Sequence, residues 1–209
     1  FMIDASKEFI KDGNKNRLRA QDIHKIVDAF TRQAEITRYS RMVLRAEISD
    51  PKNDFNLNLP RYIDSTEPED LQDIDGHLRG GIPDRDIDEL ERYWQVIPSV
   101  RAALFKKADR SGYSQLRVAT ADIKAAIFGH AEFTAFNESA TKLFAKWRTA
   151  NTPRLKGIDT STKPKSFMET LAEDLLGTFE KAKLLDPYDL YQHLMDYWAE
   201  TMQDDLYMI

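Results

Sequence analysis

Apolar side chains recur at helical spacing over several stretches of this chain, and at strand spacing over few. From Gln21 to about Tyr39 the positions Ile23, Ile26, Val27, Phe30 and Ala34 fall on one stripe, which predicts an amphipathic helix with that stripe buried. Phe133, Phe136, Ala140, Leu143, Phe144 and Trp147 predict a longer helix, and Thr120 is its predecessor's expected N-cap. Phe167, Leu171, Leu175 and Phe179 step by four. Tyr191, Leu194, Met195, Trp198 and Met202 share one broad face. Asp186-Pro187 divides these last two helices, with Asp as cap and Pro at the first helical position, and the pair is expected to form an antiparallel hairpin.

Strand signals are confined to the first third. Phe1 to Ile3, Met42 to Leu44 and Asn56 to Ile63 read as short strands, with Pro60 placing the last at an edge or bulge because it has no N–H for a ladder. Asp12-Gly13-Asn14 and Ser49 to Asp54 carry turn residues. Beyond Ile63 helix signals dominate. Asp64 to Asp70, with Pro68, marks the expected domain boundary. Gly80-Gly81-Ile82-Pro83 breaks a first helix, Asp84 to Gln95 restarts one with acids in its first turn, and Pro98 ends or kinks it. Residues 149 to 166 read as a linker. There is no internal repeat.

Composition narrows the class. The 209 residues are 42% hydrophobic and 31% charged, the mixture of a folded globular chain. With no cysteine the chain has no disulfide, thiolate ligand or thiol nucleophile, which suits a reducing cytoplasm. No apolar run reaches the roughly 20 residues that span a bilayer, and no signal pattern opens the sequence. The net charge of −5 conceals blocks of alternating sign: +4 over 1–45, −9 over 46–98, +8 over 99–166 and −8 over 167–209. A positive block offers a face to phosphate, although most charge runs are solvated helix faces.

Three blocks stand in a telling order: Phe1-Met2-Ile3-Asp4-Ala5-Ser6, Asn14-Lys15-Asn16-Arg17-Leu18 and Asp54-Phe55-Asn56-Leu57-Asn58-Leu59-Pro60-Arg61-Tyr62-Ile63. They resemble the segment just after the catalytic loop in the modification subunit of type I restriction-modification systems, an adenine-specific DNA methyltransferase. The resemblance continues more loosely through His77-Leu78-Arg79-Gly80-Gly81-Ile82-Pro83 and Tyr191 to Glu200. It implies an α+β fold, predominantly α-helical, in which a few short strands remain from the edge of a Rossmann-like methyltransferase sheet and a helical domain follows. The corresponding divisions are 1–66 for the methyltransferase edge, 67–163 for a helical domain and 164–209 for a C-terminal helical hairpin. The apolar Phe1-Met2-Ile3 reads as the end of a buried strand, so the expectation is a piece cut from a longer polypeptide. The competing class is a stand-alone helical adaptor that binds protein partners.

Chemistry is the missing part. An S-adenosylmethionine site in this family uses a glycine-rich turn, and the flipped adenine is held by an Asn/Asp-Pro-Pro-aromatic loop. The sequence contains neither Gly-x-Gly nor Pro-Pro, so no catalytic or cofactor residue is assigned to it. The resemblance gives the parent S-adenosylmethionine as cofactor, and DNA, a specificity subunit and a restriction subunit as partners. The isolated chain is then expected to be inactive.

Candidate contacts remain. Lys15, Asn16, Arg17 and Arg19 crowd a turn where ligand-facing loops lie, and are DNA-phosphate candidates against the plainer reading of a solvated loop. Asn56, Asn58, Arg61 and Tyr62 are candidates for the rim of a target-base pocket, against the reading of a capped sheet edge. Tyr191, Trp198 and Met202 are candidate partner-interface residues, against intramolecular core. The histidines His24, His77, His130 and His193 lack metal-ligand spacing. Asp84, Asp86, Asp88, Glu89 and Glu91 lack the glycine and terminal Glu of a calcium loop, and no metal is expected.

Overall fold

The computed structural model describes residues 1–66 and 71–209; Glu67 to Asp70, including Pro68 at the expected boundary, lie outside the described residues. In chain order the strands are β1 (Met2–Ile3), β2 (Ile10–Asp12), β3 (Lys15–Arg17), β4 (Ser40–Arg41), β5 (Ile82–Pro83), β6 (Phe105–Lys107) and β7 (Tyr113–Leu116). The helices are α1 (Ala20–Arg32), α2 (Arg45–Ile48), α3 (Ile74–Arg79), α4 (Asp84–Asp88), α5 (Glu91–Trp94), α6 (Pro98–Leu104), α7 (Ile123–Phe128), α8 (Ala131–Lys156), α9 (Pro164–Phe179), α10 (Pro187–Thr201) and α11 (Gln203–Met208). The fold is α+β and predominantly helical, as the sequence implies. It divides into two compact units: 1–69 with 159–176 and 187–209, and 70–158 with 177–186.

In the first unit β1 pairs antiparallel with β4, Met2 opposite Arg41 and Ile3 opposite Ser40. The β2–β3 hairpin turns at Gly13, whose positive φ of 61° a side chain would resist. Val43, Tyr62 and Ile63 form a buried cluster against which Met2 and Ile48 pack. The Met42–Leu44 strand is not formed, because the ladder is already spent at Ser40–Arg41 and Leu44 is the N-cap of α2. Nor is Asn56 to Ile63 a strand: it is irregular up to a 3-10 turn at Leu59–Arg61. There Pro60 sits in the first turn of a helix, where its missing N–H has no partner to lose.

α1 departs most from expectation. It stops at Arg32 rather than near Tyr39, because Gln33 turns left-handed (φ 49°, ψ 41°) and donates its N–H to Ala29 and Phe30. Ser40 Oγ then donates to the Ala34 carbonyl at 2.6 Å and ties down the turn. Of the expected buried stripe, Ile23, Val27 and Phe30 face outward, 52%, 57% and 65% exposed, and Ile26 and Ala34 are half-buried, while Asp22 and Ala29 are buried. α10 packs along α1, and Phe167 at the start of α9 meets the buried Trp198 with ring centroids 6.2 Å apart.

The second unit holds a sheet the sequence did not announce, in the order β5-β7-β6 and antiparallel throughout. Its strands are short and polar, and Gly112 at φ 81° makes the turn into β7. Ile97, Val100 and Leu104 form the core, with Trp94, Phe105, Val118 and Ile127 packed around them. Gly80 ends α3, as expected. The single helix expected over Asp84–Gln95 is two short ones, α4 and α5. Pro98 starts α6 instead of ending a helix, since Pro is preorganised for the first position. Thr120 opens a 3-10 turn and caps nothing with its side chain. α8 runs into the expected linker as far as Lys156 despite Pro153, and residues 157–163 remain between it and α9. Asn151 Nδ2 donates to the Trp147 carbonyl at 3.0 Å and Thr152 Oγ1 to that of Arg148 at 2.6 Å, so side chains serve carbonyls as the helix approaches Pro153.

Candidate nucleic-acid interface

The β2–β3 hairpin displays Lys15, Asn16 and Arg17, all exposed. The Asn16 carboxamide oxygen accepts from Lys11 Nζ at 2.7 Å, and Arg17 pairs with Asp12 at 3.2 Å. These surface pairs stiffen the ribbon little, and leave the Lys15 and Arg17 charges at its tip and stem. Arg19 is differently placed. Its Nε and Nη2 donate to both oxygens of Asp22, at 3.0 and 2.8 Å, and its backbone N–H donates to the same carboxylate at 2.7 Å. The Asp22 carboxylate is 2% exposed; burial pushes its pKa up, but the bonds from Arg19 outweigh that and hold it below 3.8. The guanidinium thus locks the start of α1, and the R-x-x-D spacing is the signal by which that role could have been read.

Beside Asp22, Lys25 pairs with Glu8 and lies over the Tyr39 ring, 4.4 Å from its centroid. Among the described residues the Tyr39 hydroxyl is buried without a partner, and burial, with the charges of Glu8 and Asp22, pushes it up to about 12.

The second group is on the segment from Asp54 to Ile63. Asp54 and Phe55 both hold positive φ, 47° and 56°, which is uncommon for residues with side chains. Phe55 and Leu57 are exposed. Asn56 Oδ1 accepts from the Asn58 N–H at 2.9 Å, and Arg61 donates to the Lys52 carbonyl at 3.3 Å. Tyr62 is buried and donates its hydroxyl to the Asn56 carbonyl at 2.6 Å, so its ring belongs to the core cluster while Asn56, Asn58 and Arg61 face solvent. Arg41 grips Glu47 with both terminal nitrogens, at 3.0 and 2.9 Å, and donates to the Tyr62 carbonyl at 3.2 Å. A cleft of about 410 Å³ runs beside them, lined by Glu35, Arg38, Ser40, Arg41, Tyr62 and Asp64 among others.

Tyr191 stacks on His24 at 4.5 Å, Trp198 is buried, and Met202 is half-buried, all within the first unit. In the second unit the His77–Pro83 block forms a knot. Arg110 lies 3.4 Å over the Tyr113 ring and donates to Asp75 at 2.7 Å and to the Gly80 carbonyl at 2.8 Å. Tyr113 in turn donates to Asp73, which caps α3 by accepting the Gly76 N–H at 2.7 Å.

Against known proteins, residues 1–71 match the sequence model of the N-6 DNA methylase family. That match covers about a third of the chain. The methylase subunit of the type I restriction enzyme MpnII of Mycoplasma pneumoniae is 28% identical over 103 residues, which cover 48% of this chain and 19% of that subunit. The matched stretch therefore spans about a fifth of its relative. No solved structure matches the chain. The resemblance to type I modification subunits is supported by these matches, and the family match covers the three blocks that first suggested it.

An N-6 methylase needs S-adenosylmethionine, and the residues present do not fit a cradle for it. The first unit's glycine, Gly13, sits at a hairpin tip with nothing within 4 Å, and the cleft beside Arg41 is lined by side chains with no glycine to let backbone approach a cofactor. Among the described residues no helix is long and apolar enough to cross a membrane.

Proposed function

We propose that this chain is the C-terminal part of the modification subunit of a type I restriction-modification system. The parent transfers a methyl group from S-adenosylmethionine to adenine N6 in DNA, in the cytoplasm, at a sequence chosen by a separate specificity subunit, and a restriction subunit joins the complex. Residues 1–66 close the edge of the methyltransferase domain; residues 67–163 and the helices of 164–209 serve subunit assembly and the enclosure of DNA. The observation that carries this reading is the N-6 DNA methylase match over residues 1–71. The relative named as a type I methylase subunit supports the system assigned.

Within that reading Lys15, Asn16 and Arg17 contact DNA phosphate from the exposed hairpin, with Arg19 setting the angle at which α1 leaves it. Asn56, Asn58 and Arg61 lie at the rim of the base pocket with Tyr62 as their support, and Tyr191, Trp198 and Met202 belong to the helical assembly region. The test is transfer of a radiolabelled methyl group from S-adenosylmethionine to DNA. The longer subunit with its specificity subunit is expected to label adenine N6, and the 209 residues alone are expected to label nothing. Turnover by the 209 residues, or none by the longer complex, refutes the reading.

A further inference from the structure

α1 is built inside out. Apart from the buried Ala29 its inward side is polar: Asp22 is clamped by Arg19, Lys25 pairs with Glu8, His24 stacks on Tyr191, Asp28 accepts from the Tyr188 hydroxyl at 2.5 Å, and Gln21 donates to Asp189 at 2.9 Å. Its outward side is Ile23, Val27 and Phe30, spaced i, i+4, i+7, so that the three side chains form one strip along the helix. An amphipathic helix with no other partner would turn that strip to its own core, since burying such side chains is the main favourable term in folding. Here the polar contacts occupy the inward side and more than half of each apolar side chain stays in water.

We infer that the Ile23-Val27-Phe30 strip of α1 is the seat of the methyltransferase core of the longer methylase subunit, buried there as a dry interface. This rests on the function proposed above. Three observations select that occupant. Ile26 and Thr31 flank the strip on the helical wheel, so no charged side chain falls within it; a DNA or membrane surface would be met by Lys or Arg, whereas the centre of a permanent protein interface is depleted in charge. The strip lies wholly inside residues 1–71, the segment that matches the methylase family, and the matched relative carries far more chain than the 19% aligned. Next to α1, β1 has one strand neighbour among the described residues, β4, so a sheet edge that could continue lies against the same helix.

Cysteine accessibility tests this directly, because the chain has no cysteine of its own. Val27→Cys and Phe30→Cys are made singly, with Thr31→Cys as a neighbouring exposed control, and thiol-maleimide rates are followed by peptide mass in two settings: the 209 residues alone and the longer subunit. In the 209 residues all three label at comparable rates. In the longer subunit positions 27 and 30 slow by at least about a hundredfold while the control slows by less than tenfold. Equal labelling of positions 27 and 30 in both settings overturns the inference. So does protection in the 209 residues alone that rises with protein concentration, which would make a second copy the occupant. If the longer subunit methylates DNA yet leaves the strip open, the function stands and this inference fails; if it does not methylate, the functional reading fails first.

Discussion

Replacing Asp22 by Ala removes the acceptor on which the start of α1 is organised. The carboxylate takes three hydrogen bonds from Arg19, one from the backbone N–H and two from the guanidinium, and it is 2% exposed. Loss of an N-terminal cap costs about 0.5–2 kcal/mol, and hydrogen bonds to a charged group contribute about 1.5–3 kcal/mol. The Arg19 side chain is 31% exposed, so once freed it regains water, which pulls the sum toward the lower end. The expected loss is about 2 kcal/mol, roughly a thirtyfold fall in the folded-to-unfolded ratio of the first unit. Urea titration of protein labelled with fluorotryptophan reads this unit through Trp198, apart from Trp94 and Trp147 of the second. The pH dependence is the sharper test. The folded carboxyl lies below 3.8, so its stabilisation is complete above the unfolded value and is lost as pH falls through the folded one. The gap between wild type and Asp22→Ala should be full at pH 7, still full at pH 5, and shrink below pH 3.8. A gap under about 0.5 kcal/mol at pH 7, or one that stays constant down to pH 2.5, refutes the argument.

Three further outcomes follow from single contacts. Gly81→Ala forces a side chain onto a φ of 93° with its Cβ 3.3 Å from that of Tyr113, and should destabilise the second unit by about 1–3 kcal/mol, read from Trp94; no change would mean the Arg110–Tyr113 knot yields freely. Tyr62→Phe removes the bond to the Asn56 carbonyl and should cost about 0.5–1.5 kcal/mol while speeding protease cleavage between Asp54 and Asn58; unchanged cleavage would show that this bond does not hold the loop. In the longer subunit, replacing both Lys15 and Arg17 by Ala should lower the slope of log affinity for DNA against log salt by about 2, and an unchanged slope would remove the hairpin from the interface.

What could be read from the sequence was what local chemistry decides. Gly13 and Asn14 gave the hairpin turn, Gly80 the end of α3, Asp186-Pro187 the break before α10, and the long periodic stretches gave α8, α9 and α10. The strands β5, β6 and β7 escaped because each is two to four residues long and their runs, such as Phe105-Lys106-Lys107, carry no alternation; only pairing makes them strands. Pro98 and Pro153 depart from expectation for a related reason, since a proline marks a helix start as readily as an end, and α8 carries Pro153 within its last turn, which closes at Lys156.

Of the candidate contacts, Arg19 owes its place to Asp22, a partner three residues on that the R-x-x-D spacing does offer, whereas Tyr62 owes its place to the Asn56 carbonyl, which no side-chain spacing names. α1 shows the deeper limit. Periodicity put Ile23, Ile26, Val27, Phe30 and Ala34 on one buried stripe, yet Ile23, Val27 and Phe30 are turned outward and Ile26 and Ala34 are only half-buried. A hydrophobic period states that a face is to be covered and leaves open what covers it. Inferring that the cover comes from the same short chain adds an assumption, and α1 breaks it, because Asp22, Lys25, His24 and Asp28 satisfy the inward side with ion pairs, stacking and hydrogen bonds. Among the described residues the Ile23, Val27 and Phe30 side of α1 stays more than half exposed, and it is the side on which the inferred methylase core would close.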